Sequence, residues 1–274
     1  MSQLDIHGLA AELLVAHDQA KCVTPPGIRD DRFDLQAGYA VAAEMVRLRR
    51  QAGHRTVGRK IGFTNKAVWS RLGLATPIWA HVYDSTVYYA AHNSATVSLV
   101  GMVAPRIEPE IVFKLRSALP VGGTDPETIL RAVEWIGLGY EVVDCHYPEW
   151  QFQAADAVAD LGLHAALVVG EPRALEDQRT ALLAERLPGF RVSLRRDGAI
   201  VAEGVGENVM GNPALALGYL AEVIRQQPAA EPLMAGEVVT TGTLTSALPV
   251  RAGETWTAEV TAIELPRLTV AFTK

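Results

Sequence analysis

Apolar positions recur at helical spacing through Leu4, Leu9, Leu13, Val15 and Ala16, and Ser2 with Asp5 has the form of a capping box. A helix is therefore expected at the start of the chain. The segment Lys21 to Arg32, with Pro25-Pro26-Gly27, reads as a loop, and Asp34 as the N-cap of a second helix through Leu35, Tyr39, Ala42, Met45 and Leu48 that Gly53 stops. Beyond Thr56 the pattern changes to short β-like runs, as in 56–63 and 81–89, punctuated by turn residues. Helices there are confined to three capped segments: Asn65 to Leu72 closed by Gly73, Asp125-Pro126 to Trp135 closed by Gly137, and Asn212-Pro213 to about Gln226. Asp197-Gly198, between Arg191 and Ala202, marks a two-residue hairpin turn. The last forty residues alternate strand and turn around Leu248-Pro249, Gly253 and Pro266. These elements predict a single α+β unit over 1–274, with a small helical part over 1–53 and a β-rich, largely antiparallel part over 54–274.

Composition narrows the function more than the fold. A chain of 274 residues, 49% hydrophobic and 20% charged, can bury a core that needs no disulfide staples. The 25 Lys and Arg against 31 Asp and Glu leave a formal charge of -6 without a basic stripe, which argues against a nucleic-acid partner. Cys22 and Cys145 have neither zinc-site nor disulfide spacing. No run approaches the ~18 apolar residues of a membrane span. The start Met1-Ser2-Gln3-Leu4-Asp5 lacks the basic and apolar regions of a signal peptide, so a cytoplasmic protein with no membrane partner is expected.

Candidate chemistry concentrates in Arg106-Ile107-Glu108-Pro109-Glu110-Ile111-Val112-Phe113-Lys114-Leu115. If this run is extended, Glu108 and Glu110 share one face while Ile107, Ile111, Phe113 and Leu115 share the other. Pro109 cannot donate to a ladder and so points to an edge or a bulge. Two neighbouring carboxylates repel unless a cation or a proton sits between them. A third acid, Glu141, follows in the apolar run Gly139-Tyr140-Glu141-Val142-Val143-Asp144. Three carboxylates suit a hard, oxygen-loving ion, magnesium or manganese, with open positions for a chelating 2-oxo acid. The same glutamates would serve equally as solvated strand residues. Lys60, in the strand-like run before Ile61 and Gly62, is a candidate for holding a substrate carboxylate or moving a proton.

The runs 57–68, 107–113 and 140–144, in that order and spacing, resemble the 2-keto-4-pentenoate hydratase and 2-oxo-3-enedioate decarboxylase branch of the fumarylacetoacetate hydrolase superfamily. The similarity extends over nearly the whole chain and includes the run from Ala235 to Thr243. It implies a mixed β-roll with flanking helices and a divalent metal, Mg2+ or Mn2+, on Glu108, Glu110 and Glu141. It implies a 2-oxo or 2-hydroxydienoic acid as substrate, Lys60 beside the reacting dienol, and a loop at Gly242 and Thr243 closing the pocket. A homo-oligomer is implied as well. Gly62, Trp79 and His81 are further candidates for the substrate wall, and Thr243 could equally be a turn-forming threonine.

Two departures from the family pattern stand out. Ile78, in Thr76-Pro77-Ile78-Trp79-Ala80, occupies the place where such hydratases usually carry a proton-transferring aspartate, and Asp160-Leu161-Gly162-Leu163-His164 replaces a small polar run. Replacement groups are sought in His81, Asp84, His146 and His164. His146 and Glu149 have the spacing of a water-activating dyad if the chain turns at Pro148, although a surface-loop histidine fits the same residues. Cys145 points away from His146 in an extended strand, which removes a thiol nucleophile. The leading expectation is a metal-dependent hydratase that adds water to a 2-hydroxy-2,4-dienoate in aromatic catabolism. Its rivals are decarboxylation of a 2-oxo-3-enedioate, which needs no water-activating base, C–C hydrolysis of an acylpyruvate, and metal-dependent 2-oxo-acid binding without turnover.

Overall fold

In the computed structural model, which describes residues 4–120, 125–227 and 230–274, the chain opens with α1 (Ile6–Gln19), α2 (Pro26–Arg29) and α3 (Leu35–Gln51). Asp5 caps α1 by accepting from the Gly8 amide, and Asp34 caps α3 by accepting from Ala37. Ser2, the other half of the expected capping box, lies outside the described residues. The expected 21–32 loop contains the short helix α2, started by a proline at its first turn.

The strands begin with β1 (Thr56–Gly62), then α4 (Trp69–Leu72), preceded by a 3-10 turn and closed by Gly73 in a left-handed conformation. There follow β2 (Ile78–Tyr83), β3 (Val87–Tyr89), β4 (Ser94–Ser98), β5 (Arg106–Leu115), α5 (Pro126–Arg131), β6 (Val133–Val143), α6 (Ala154–Ala159), β7 (His164–Val169) and β8 (Arg173–Ala174). The chain ends with α7 (Thr180–Arg186), β9 (Arg191–Arg196), β10 (Ala199–Val205), α8 (Pro213–Arg225), β11 (Val238–Thr243), β12 (Leu248–Pro249), β13 (Thr255–Thr261) and β14 (Leu268–Thr273). The expected single run over 81–89 is two strands joined by a turn.

One expected helix is much shorter. Asp125 caps α5 as anticipated, but the helix stops at Arg131, and Val133 to Trp135 already belong to β6. Pairing of β6 with β5 outweighs the local preference of an apolar run that fits either element. The 191–205 hairpin forms around Asp197 and Gly198, with φ of 51° and 85° as a type I′ turn requires.

A nine-stranded mixed sheet runs β2-β1-β11-β5-β6-β7-β3, with β12 on β5 and β8 on β6, and a five-stranded sheet runs β10-β9-β13-β14-β4. The larger sheet is antiparallel except where β1 meets β11 and β3 meets β7. One of its faces carries Ile61, Ile107, Ile111, Phe113, Tyr140, Val142 and Val239 into a core shared with Trp256, Val270 and Phe272 of the smaller sheet and with Leu217 and Leu220 of α8. The other face is covered at one end by a second apolar cluster. There Leu13, Val41 and Met45 of the first helices meet Ile78, Tyr147, Val158, Leu161 and Leu163.

Candidate active site

The register of the large sheet decides which side chains meet. Glu108 pairs with Glu141 across β5 and β6, Thr240 pairs with both Val112 and Lys60, and Ala80 pairs with Lys60. Because side chains alternate, Lys60, Gly62, Ile78, Glu108, Glu110 and Glu141 all belong to the face away from the main core. One oxygen from each of Glu108, Glu110 and Glu141 lies within 4.8 Å of the others.

Each carboxylate is held by its own partners. Glu110 Oε2 accepts from the Thr240 hydroxyl, and from the Gly242 amide at 2.7 Å. Gly242 has φ of +99°, and a Cβ there would stand 2.0 Å from Thr64 Oγ1, so only glycine brings this amide to the carboxylate. Glu141 Oε1 lies 2.8 Å from His164 Nδ1, whose Nε2 is 2.9 Å from Thr86 Oγ1. Lys60 Nζ donates to the Gly162 carbonyl at 2.9 Å and lies 3.0 Å from Glu141 Oε2. Gly162 belongs to the turn Leu161-Gly162-Leu163, where all three φ angles are positive at 51°, 64° and 64°. Non-glycine residues keep such backbone only where the surroundings hold it, here through hydrogen bonds from Leu163 N to Asp160 O and from Asp144 N to Leu163 O.

Electrostatics make this cluster expensive without a counter-ion. Burial, with Glu141 adding repulsion and Lys60 opposing it, raises Glu108 to about 7. Burial and both neighbouring glutamates push Glu110 well above the usual carboxylate range. For Glu141 burial acts upward too, but the Lys60 ammonium and His164 outweigh it and hold the group low. Burial disfavours the Lys60 ammonium, yet the three glutamates raise its pKa, so it stays charged. Glu110 Oε1 is buried without a hydrogen-bond donor, and Glu141 Oε2 has the Lys60 ammonium at 3.0 Å. A hard set of three carboxylates, with the buried Glu110 Oε1 left without a partner, fits a divalent cation.

Two expectations follow. Protons compete with the cation for carboxylates whose pKa is raised, so Mn2+ affinity is expected to fall as pH drops through about 7. Calorimetric titrations on either side of that pH check it, and pH-independent affinity would mean that the glutamates are already ionised. Replacing His164 by Ala removes the donor that orients Glu141 and should weaken Mn2+ binding by about 10–100-fold. Unchanged affinity would assign the imidazole a packing role only.

Other candidates lie elsewhere. Trp79 and His81 face the opposite side of β2, because His81 pairs with Arg59 and Trp79 with Ile61. Their rings pack against each other at 5.3 Å, with the Arg59 guanidinium 5.4 Å from the Trp79 ring. The substrate wall expected of them is on the wrong face. Burial, reinforced by Arg59 and Arg50, lowers His81 to about 3 and keeps it neutral. Asp84 pairs with Arg55 at the surface. Thr243 is used in a turn, where its hydroxyl donates to the Thr245 carbonyl at 2.9 Å. Gly62 lies on the face of Lys60, and a Cβ there would meet Ile78 Cγ1 at 3.0 Å.

The dyad of His146 and Glu149 does not form. Glu149 has φ of 55°, which turns it outward at Pro148 to an exposed position beside Gln151. His146 is buried, with Nδ1 3.1 Å from both Asp160 oxygens, and His17 Nε2 lies 2.8 Å from Asp160 Oδ1. Burial disfavours a charged His146, but Asp160 and Asp144 outweigh it and raise its pKa. This cluster braces the residue that opens the Leu161–Leu163 turn. Sequence reasoning missed His17, Thr86, Thr240 and the Gly162 carbonyl altogether, and weighed His164 as a proton carrier rather than as the support of Glu141.

A model of the fumarylacetoacetate (FAA) hydrolase C-terminal region matches residues 55–271. The chain belongs to the fumarylacetoacetate hydrolase family. It is 31% identical over 237 residues to a 2-hydroxyhexa-2,4-dienoate hydratase from Comamonas testosteroni, covering 86% of each chain. It is 29% identical to a 4-oxalocrotonate decarboxylase from Pseudomonas sp. (strain CF600), covering 84% of this chain and 83% of that one. Among solved structures it superposes on 4-oxalocrotonate decarboxylase from Pseudomonas putida G7, complexed with magnesium and adipate, with a TM-score of 0.88 at 23% identity over 99% and 98% of the two chains. The expected α+β class and β-roll of this family are thereby borne out. Among the described residues no helix is long and apolar enough to cross a membrane.

Proposed function

We propose that the protein is a divalent-metal-dependent lyase that adds water to a 2-hydroxy-2,4-dienoate, as a single catalytic unit over 1–274. The observation that carries this reading is the trio Glu108, Glu110 and Glu141 on one sheet face, with the Lys60 ammonium 3.0 Å from Glu141. The similarity to a dienoate hydratase supports it. Mg2+ or Mn2+ held by the three glutamates would supply positive charge for the carboxylate and 2-oxygen of the acid, where negative charge gathers as the dienol reacts.

The chain's own groups do the rest. Lys60, kept protonated by the glutamates, donates a proton to the far carbon of the conjugated dienol, which gives an α,β-unsaturated 2-oxo acid. The 2-hydroxyl proton leaves to solvent in that step; water then adds its oxygen at the β-carbon while its proton returns to the amine, and the α-carbon takes a proton from solvent, so the lysine ends as it began. The Gly162 carbonyl and Glu141 fix the amine between them and leave one direction for transfer. On the same reading the enzyme works in the cytoplasm as a homo-oligomer, in the breakdown of aromatic or related ring compounds.

A second reading, loss of carbon dioxide from a 2-oxo-3-enedioate, is favoured by one feature. Buried Ile78 lies on the face of Lys60 and supplies no group to activate water. Purified protein with Mn2+ or Mg2+ and a panel of 2-hydroxydienoates, oxo-enedioates and acylpyruvates separates the readings by product mass. Gain of water without cleavage is expected. Loss of carbon dioxide would move the protein to the decarboxylases, and cleavage with gain of water to the hydrolases. Metal-dependent binding of a 2-oxo acid with no product would leave a binding protein.

A further inference from the structure

A second group of ligand-type side chains lies outside the glutamate site, where α1, the chain just after β6 and the Leu161–Leu163 turn meet. One ring nitrogen from each of His17 and His146 and one oxygen of Asp160 lie within 4.8 Å of one another. His17 Nε2 is 2.8 Å from Asp160 Oδ1, and His146 Nδ1 is 3.1 Å from both oxygens of the same carboxylate. The two imidazole rings have their centres 4.0 Å apart, with planes inclined at 41°.

These contacts exceed what a brace requires. Asp160 already accepts from the His146 amide at 3.2 Å and has His146 Nδ1 beside it, which is enough to hold a buried carboxylate. His17 Nε2 comes to the same carboxylate off the line of a hydrogen bond, and it is buried with no hydrogen-bond partner among the described residues. A buried polar atom left so is destabilising unless a further group satisfies it. Ligand atoms bonded at about 2.0 Å to one tetrahedral ion stand about 3.3 Å apart, close to the separations between this carboxylate and the two nitrogens.

The surroundings fit an ion as well. His146 Nε2 lies 3.8 Å from Asp144 Oδ2, and Asp144 is itself fixed by the amides of Val103 at 2.8 Å and Ala104 at 2.6 Å. A ligating imidazole characteristically turns its other N–H to such a carboxylate, which sets the tautomer that leaves the first nitrogen free for the metal. With both rings neutral, two carboxylates, Asp160 and Asp144, stand against the one guanidinium of Arg49. A negative charge is left for a cation to meet.

We propose that His17, His146 and Asp160 form a second cation site, distinct from the three glutamates, that takes a transition metal of the zinc type. Two imidazoles and a carboxylate are donors that zinc and cobalt favour, whereas magnesium and manganese favour the all-oxygen trio. Three protein ligands leave the fourth position of a tetrahedral ion to water. The partly exposed His17 ring marks the way in. An ion here ties the last turn of α1 to Asp160, which opens the turn that presents the Gly162 carbonyl to Lys60. The site steadies the Lys60 amine without touching the substrate.

The full chain, kept in excess Mg2+ so that the glutamates are occupied, is titrated with Co2+. Its visible absorption is strong in a four-coordinate site with nitrogen donors and weak in an octahedral one of oxygens. One equivalent of strongly absorbing Co2+ is expected, displaced by Zn2+, and Zn2+ at about 100 times its Kd should raise Tm by about 5 °C. His17→Ala, which suits a helix, should abolish both signals while Mn2+ still binds at the glutamates. A weak octahedral spectrum alone, or a strong one that survives His17→Ala, would overturn the proposal. Loss of Mn2+ binding in the variant as well would also overturn it, since the cluster would then be part of the fold only.

Discussion

Glu110→Gln is expected to remove divalent-cation binding and turnover together. Glu110 is fully buried, and its Oε2 is occupied by Thr240 and Gly242 while Oε1 has no partner. The amide keeps the shape but removes the negative charge, and it offers N–H groups where the site needs an acceptor. Turnover should fall by about 10³-fold or more, because the charge that stabilises the developing oxyanion is lost with the ion. Mn2+ calorimetry and product formation under saturating Mn2+ are the two readings. Wild-type Mn2+ affinity in this variant would show that Glu110 is a structural acid and that the cation sits elsewhere. The folded variant should also be more stable than the metal-free parent, since burial and like-charge repulsion have pushed the Glu110 pKa well up.

Lys60→Met separates proton transfer from metal holding. Methionine preserves the aliphatic stem, which a Cβ at Gly162 would meet at 2.9 Å from Lys60 Cδ, and removes only the ammonium. A drop in kcat of about 10²–10⁴-fold is expected, the usual contribution of a positioned acid or base. Mn2+ affinity should stay equal or tighten, because a positive charge 3.0 Å from Glu141 Oε2 has gone. Loss of metal affinity alongside activity would make Lys60 a clamp on Glu141 and return the proton-transfer role to an unassigned group.

The parts of the site that could be read from the chain are those fixed by local alternation. Glu108 and Glu110 share a face in any strand, and an acid inside an apolar run such as that around Glu141 calls for an explanation wherever it lies. What escaped depends on contacts distant in sequence. Lys60 and Gly162 are 102 residues apart, and the turn that presents the Gly162 carbonyl has leucines where sequence rules expect residues tolerant of positive φ. Trp79 and His81, candidates for the substrate wall, lie on the face opposite Lys60, because a strand's face follows from its register and a slip of one residue inverts it. Pairing of Arg59 with His81 settles that register. Glu149 failed for a related reason: the chain does turn at Pro148, but through a left-handed residue that sends the carboxylate to solvent. The 125–135 helix overran because an apolar stretch of that length is ambiguous until its partner strand is known.

The large sheet also has a bearing on how such an enzyme can diversify. Its strands are packed together by one face, where the main core lies, while Lys60 and the three glutamates project from the other, where Ile78 belongs to the second apolar cluster. A change at Ile78 falls on that second cluster and not on the main core shared by the two sheets. A sheet built this way can vary the groups on one face while the packing of the other is kept.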